Sequence, residues 1–140
     1  MNPFHLAITV TNLDEAHHFY TTLFNCQTGR TSDQWVDLNF FGHQITLHTH
    51  NTDVTPAFIQ QVDGHDIPVG HFGIILQWEQ WHTLKDHFID HQVQFIVEPH
   101  IRFKNKPGHQ ATMFIQDPSG NVLEFKSFKD QEQIFSNYSN

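Results

Sequence analysis

The chain spells one short pattern twice, and that repetition limits its fold more than any other feature of its 140 residues. Residues 4–10 (FHLAITV) alternate, with Phe4, Leu6, Ile8 and Val10 on one face and His5, Ala7 and Thr9 on the other, which predicts a strand. TNLDEAHHFYTTLF follows as a helix, with Thr11 or Asn12 as N-cap and Asp14 or Glu15 three residues on. Its apolar positions Leu13, Ala16, Tyr20, Leu23 and Phe24 recur at helical spacing. Strand-like text then runs near 27–32, over 34–41, through a turn at 42–43, and over 44–50. After the polar stretch 51–68, expected as a linker because of Pro56, Gly64 and Pro68, the pattern restarts. GHFGIIL (70–76) is expected as a strand and WEQWHTLKDHFIDH as a helix with Trp81, Leu84 and Phe88 inward. Strands are expected near 94–104, 110–117 and 121–128, with a turn at DPSGN.

Both halves therefore read β-α-β-β-β within one domain over 1–140: module one about 3–50, the linker 51–68, module two about 69–128, and a tail 129–140. Laying His71 on His5 also lays Ile74 on Ile8, so the repeat is one of pattern more than of identity. The fold class is α+β. A chain of this length buries roughly two-thirds of its unfolded surface and needs no disulfide to fold.

Charge narrows the partners. Seven Lys+Arg against 15 Asp+Glu leave a net charge of −8, which argues against nucleic acid and against an anionic membrane surface. The single Cys26 allows no intrachain disulfide and no cysteine-based zinc module. The opening residues lack a basic segment followed by a long apolar run, and nothing reaches the ~20 apolar residues of a membrane span. A soluble cytoplasmic protein is the expectation.

Thirteen histidines nearly double the count of Lys+Arg. Position separates them. His5 and His71 occupy matching places on the first strands of the two modules, on the face opposite the larger aliphatic residues. Each last strand carries one more ligand-type residue, His48 in QITLHT and Glu124 in NVLEFKS. If equivalent inward residues converge about a pseudo-twofold axis, the candidates form two pairs, 5/71 and 48/124. Two imidazoles and one carboxylate on one face leave open positions on an octahedral ion, an arrangement suited to Fe(II) and open to Zn, Ni or Mn. Such an ion polarises oxygen or lowers a hydroxyl pKa. A fourth ligand from His48 would leave fewer open positions and move the site toward polarisation chemistry.

FHLAITVTNLDEAHHFY at the start, GHFGIIL at the restart and DPSGNVLEFK near the end resemble the vicinal oxygen chelate superfamily of glyoxalases, fosfomycin- and bleomycin-resistance proteins and type I extradiol dioxygenases. FFGHQITLHT, HFGIIL and EPHIRF look most like small bacterial proteins grouped with extradiol dioxygenases. The resemblance implies two βαβββ modules forming a half-open barrel around a metal pocket, and frequent homodimers. It implies ligands on the first, fifth and last strands of the repeat, which fall on His5, His71 and Glu124. Glyoxalase I-like members add a carboxylate on the fourth strand, where this chain offers His48, and that departure counts against the glyoxalase reaction.

Glu98, His100 and Arg102 alternate on one strand and are expected to share a pocket wall, with Arg102 holding an anionic group and His100 moving a proton. Asn39 is expected on the opposite wall and Phe41 in the core. His87 and His91, four apart on the second helix, are expected at the surface. Three functions stay open: a dioxygenase with Fe(II), a Lewis-acid isomerase or thiol transferase with Zn, Ni or Mn, and a non-catalytic protein that sequesters a flat small molecule.

Overall fold

The structure, a computed structural model, describes residues 1–51 and 58–137. The chain forms two compact units, Met1–Pro56 with Gln116–Asn121, and Ala57–Ile115 with Val122–Asn140. The first holds β1 (His5–Val10), α1 (Leu13–Leu23), β2 (Gln27–Thr31), β3 (Trp35–Phe40) and β4 (His43–Thr49), in the sheet order β1-β4-β3-β2. The second opens with β5 (Phe58–Val62) and β6 (His65–Val69). It continues with β7 (Phe72–Ile75), α2 (Trp78–Asp90), β8 (Val97–Arg102), β9 (Gln110–Gln116) and β10 (Val122–Phe128), in the order β7-β10-β9-β8. The βαβββ pattern thus occurs twice, as the sequence suggests.

One stretch differs from expectation. The segment read as a linker over 51–68 carries the antiparallel hairpin β5–β6. Its two-residue turn, Asp63 and Gly64, has φ of 49° and 78°, the left-handed pair that a tight hairpin requires. Residues 52–57 of that stretch, and 138–140 of the expected tail, lie outside the described residues. The tail's helical piece is a single 3-10 turn at Gln131–Gln133.

Each helix forms for local reasons and buries one stripe. Asn12 caps α1 by accepting from the Glu15 N–H at 2.9 Å. Ala16, Tyr20 and Leu23 then face Val36, Leu38 and Phe40 of β3 and Ile45 and Leu47 of β4, all buried. At the start of α2 the Gln80 side chain reaches back to the Gln77 N–H at 3.2 Å, and Trp81 and Phe88 are buried. The Trp81 indole N–H donates to the Phe125 carbonyl at 2.8 Å, fixing α2 against β10. Leu84, expected inward, is half-buried. Phe40 belongs to the core, whereas Phe41 is 42% exposed. The chain turns at Phe41 and Gly42 with φ of 52° and 84°, which directs the Phe41 side chain outward.

The DPSGN turn is a hydrogen-bond knot within the first unit. Asp117, 4% exposed, accepts from the Ser119 N–H, the Asn121 N–H, the Asn121 amide and the Tyr20 hydroxyl, all at 2.8–2.9 Å. Asn121 also donates to the Thr9 carbonyl, and the Thr11 N–H donates to Ser119 Oγ. Four donors on one buried carboxylate explain why this turn needs those side chains. Among the described residues no helix is long and apolar enough to cross a membrane.

Burial first, and Asp117 second, push the Tyr20 phenol well above its ordinary value of 10.0. A raised folded-state pKa contributes stability below about pH 10 and loses it as pH climbs toward the folded value. Tyr20→Phe should cost about 1–3 kcal/mol in urea unfolding at pH 7, because Asp117 loses a donor. Above pH 10 the wild type should lose stability more steeply than the variant; parallel decline would contradict this reading.

Candidate functional site

In each βαβββ repeat the first strand pairs with the last in parallel, β1 with β4 and β7 with β10, and this sets which residues share a face. In the second unit Gly73 of β7 lies opposite Glu124 of β10. His71, two residues before Gly73, therefore faces the same side as Glu124. The two side chains meet there: His71 Nε2 lies 3.0 Å from Glu124 Oε2. A Cβ on Gly73 would run into the Glu124 backbone carbonyl, so only glycine lets β7 approach β10 this closely.

Both partners are oriented from behind. His71 Nδ1 lies 2.6 Å from the Pro68 carbonyl and donates its proton there. The Thr112 hydroxyl donates to Glu124 Oε1 at 2.8 Å, leaving Oε2 toward the imidazole. The Glu124 hydrogen bond holds the His71 pKa up, opposed by burial and supported by the Pro68 contact. Burial alone would raise Glu124, but the His71 hydrogen bond, the Lys126 ammonium and the Thr112 hydroxyl outweigh it and lower the pKa. When His71 loses its proton, an imidazole lone pair and a carboxylate oxygen stand side by side, each braced through its other polar atom. Divalent ions take donors of these two kinds, held by outer contacts of this sort. Among the described residues no three His, Cys, Asp or Glu side chains gather closely enough to hold an ion together.

A cavity of about 200 Å³ surrounds the pair. His100 and Arg102 line it, as their spacing suggests, together with Thr112, Phe114 and Lys126. Glu98 does not: a bulge between Val97 and His100 breaks the alternation, and Glu98 turns out to solvent. The hairpin β5–β6 supplies the other wall with Val62, Asp63, His65, Ile67 and Val69. It is fastened to β8 by an ion pair from Arg102 to Asp63 and by the stacked rings of His65 and His100, 4.4 Å apart. His65 carries no site signal in the sequence because β6 lies in a polar stretch with little apolar alternation; the Asp63-Gly64 pair is the one local sign of the hairpin.

The first unit uses the same face differently. His5 lies opposite Gln44, and its Nδ1 is 2.8 Å from Gln44 Oε1. It lines a cleft of about 510 Å³ with Thr28, Asp37, Asn39, His43 and Gln44. Asn39 does stand on this wall, while its Oδ1 accepts from the Gly42 N–H and steadies the β3–β4 turn. The register corrects the pairing of His48 with Glu124. Ala7 lies opposite Thr46 as Gly73 lies opposite Glu124, so the counterpart of Glu124 is Thr46 and that of His48 is Lys126. His48 is level with Thr9, four strand residues or ~13 Å beyond His5, and is exposed. The Thr46 hydroxyl donates to Asp37 Oδ1 at 2.6 Å. Each unit thus bridges its last two strands with a threonine–carboxylate bond, with the two residue types exchanged between strands.

Other candidates of chemical interest do not join these sites. His87 and His91 face one another on α2 with ring centroids 4.1 Å apart, and neither lines either cavity. Burial pushes the Cys26 thiol up to about 11, which disfavours a reactive thiolate.

Comparison with known proteins agrees with the fold. A family model described as the glyoxalase/bleomycin resistance protein/dioxygenase superfamily matches residues 3–125. The structure of a glyoxalase/bleomycin resistance protein/dioxygenase from Alicyclobacillus acidocaldarius is similar, with TM-score 0.78, 30% identity and 96% of each chain covered. A fosfomycin resistance protein from Listeria monocytogenes aligns at TM-score 0.70 and 13% identity, covering 95% of this chain and 97% of that one. A lactoylglutathione lyase from Agrobacterium tumefaciens aligns at TM-score 0.64 and 16% identity, covering 97% of each chain. No curated protein matches the sequence.

Gly73→Ala should lower stability by on the order of 3 kcal/mol in urea unfolding and displace the His71 ring resonances in NMR spectra. Unchanged stability with unchanged His71 resonances would show that β7 has room to move.

Proposed function

The chain belongs to the glyoxalase/bleomycin resistance protein/dioxygenase superfamily, and on that footing we propose a metal-dependent enzyme of extradiol dioxygenase type, acting on a small molecule with two neighbouring oxygens. The observation that carries the proposal is the His71–Glu124 contact, braced by Pro68 and Thr112. The proposed ligand set is His71 and Glu124 with His5, which occupies the corresponding place on the first strand of its own unit. Thr46, at the counterpart of Glu124, is a weak ligand already committed to Asp37, and this favours a three-ligand set over a four-ligand one. Fe(II) fits two imidazoles and a carboxylate, and when bound it supplies coordination of the substrate oxygens and of O₂.

The chain's own residues do the remainder. Pro68 and Thr112 hold the two donors so that chelation requires little reorganisation. Phe114 stands edge-on to the His71 ring at 5.0 Å and keeps water from that side. His100, whose Nδ1 lies 2.9 Å from the Glu98 carbonyl, lines the cavity and is the ring assigned here to move a proton. A homodimer and a cytoplasmic setting complete the proposal, the latter resting on the lone Cys26.

Two measurements follow. His71→Ala and Glu124→Gln should each abolish stoichiometric uptake of Fe(II) or Mn(II), measured by metal analysis after gel filtration, and His5→Ala should do the same, whereas His87→Ala should bind normally. Equal behaviour of all four variants would contradict the ligand set. After anaerobic Fe(II) loading, a catechol panel should give substrate-dependent oxygen uptake; iron bound without uptake on any catechol would overturn the dioxygenase assignment.

A further inference from the structure

Lys126 stands in an awkward place for a protein that binds a cation. It follows Glu124 by two residues on β10, so both side chains point to the same face. Its Nζ lies 4.0 Å from Glu124 Oε1, and it lines the same cavity as His71, Glu124, His100 and Arg102. The whole chain carries only seven Lys+Arg, and two of them border this one small cavity.

The electrostatics of the two cations differ. Arg102 is ion-paired with Asp63, and that pair fastens the hairpin to β8. Lys126 reaches Glu124 at the outer limit of an ion pair and lies 5.8 Å from the centroid of the Phe128 ring, and Oε1 of that carboxylate already accepts the Thr112 hydroxyl. At 4.0 Å the two groups make no hydrogen bond, so charge attraction alone links them. Beside a divalent ion on Glu124, the ammonium would repel the metal and weaken its binding. A group that weakens the metal makes sense if it serves what the metal holds.

We propose that Lys126 is a ligand-binding residue whose ammonium pairs with an anionic oxygen of the substrate, a catecholate, carboxylate or phosphonate oxygen, seated in the cavity beside His71 and Glu124. The inference rests on the metal-dependent reading above for the neighbouring ion, but the charge pairing itself needs only the cavity and the ammonium. Once an anion is present, its attraction to Lys126 replaces the repulsion, so metal and ligand bind more strongly together than either alone. The cavity volume of about 200 Å³ suits a compact anion or a single substituted ring.

The test is Lys126→Met, which keeps the stem and removes the charge, with Lys126→Arg as the charge-preserving control. Mn(II) binding is followed by electron paramagnetic resonance and inorganic phosphate binding by calorimetry, on Mn(II)-loaded and metal-free protein. Lys126→Met should bind Mn(II) about tenfold more tightly and phosphate about tenfold more weakly than wild type. Lys126→Arg should stay close to wild type in both. A purely structural lysine would leave the phosphate affinity unchanged or weaken Mn(II) binding in the Met variant, and either result overturns the proposal. If wild type takes up no Mn(II), the metal-dependent reading fails by itself. Phosphate binding to metal-free protein then decides Lys126: loss in the Met variant supports its role, and equal binding overturns it.

Discussion

Parallel pairing of the first strand with the last, inside each βαβββ unit, is the constraint from which the candidate site follows. Directly opposite residues in a parallel pair share a face, and so do residues two apart along a strand. With Gly73 opposite Glu124, His71 is placed on the carboxylate's side. The missing side chain at residue 73 also removes the group that would otherwise stand between β7 and the Glu124 backbone. Burial of α2 against the opposite face, through Trp81 and Phe88, holds the strands in that register.

The two units apply this geometry to different ends. In the second, a carboxylate on the last strand takes a threonine hydroxyl and meets a histidine. In the first, the threonine is on the last strand, the carboxylate is Asp37 one strand further out, and His5 pairs with Gln44 instead. Duplicated modules need keep only the faces that pack against the helix, because those faces support the core. The opposite faces are free to diverge, and there the polar side chains of the two units differ. His71 and Glu124 form a braced pair, while His5 lies in a roomier polar cleft.

Most of the framework was legible in the sequence because the buried faces alternate cleanly. Phe4 to Val10 and the helical stripe of Ala16, Tyr20 and Leu23 announce their partners by spacing alone. The hairpin β5–β6 was not legible, because nearly every residue of β5 is exposed and no apolar alternation marks it. Glu98 failed for a different reason: a bulge adds a residue to β8 and reverses which side chains face inward, and bulges leave little trace in composition. Ligand type pairs His48 with Glu124 in the sequence, whereas the hydrogen-bond register pairs Thr46 with Glu124, because strand ends carry no mark of their register. The closeness of His71 to Glu124 is legible because the repeat marks the strand start that carries one and the DPSGN text marks the strand that carries the other. That turn is specific for a reason: Asp117 collects four donors and fixes where β10 begins.

The central claim is that His71 and Glu124 are metal ligands. It is tested most directly by anomalous scattering from crystals of protein loaded with Mn(II), with data collected on both sides of the metal edge. The account predicts a single strong peak within bonding distance of both His71 Nε2 and Glu124 Oε2, the ion taking the place of the proton that now lies between them. A fully loaded crystal whose metal peak lies at other residues, with the His71–Glu124 hydrogen bond intact, would contradict it.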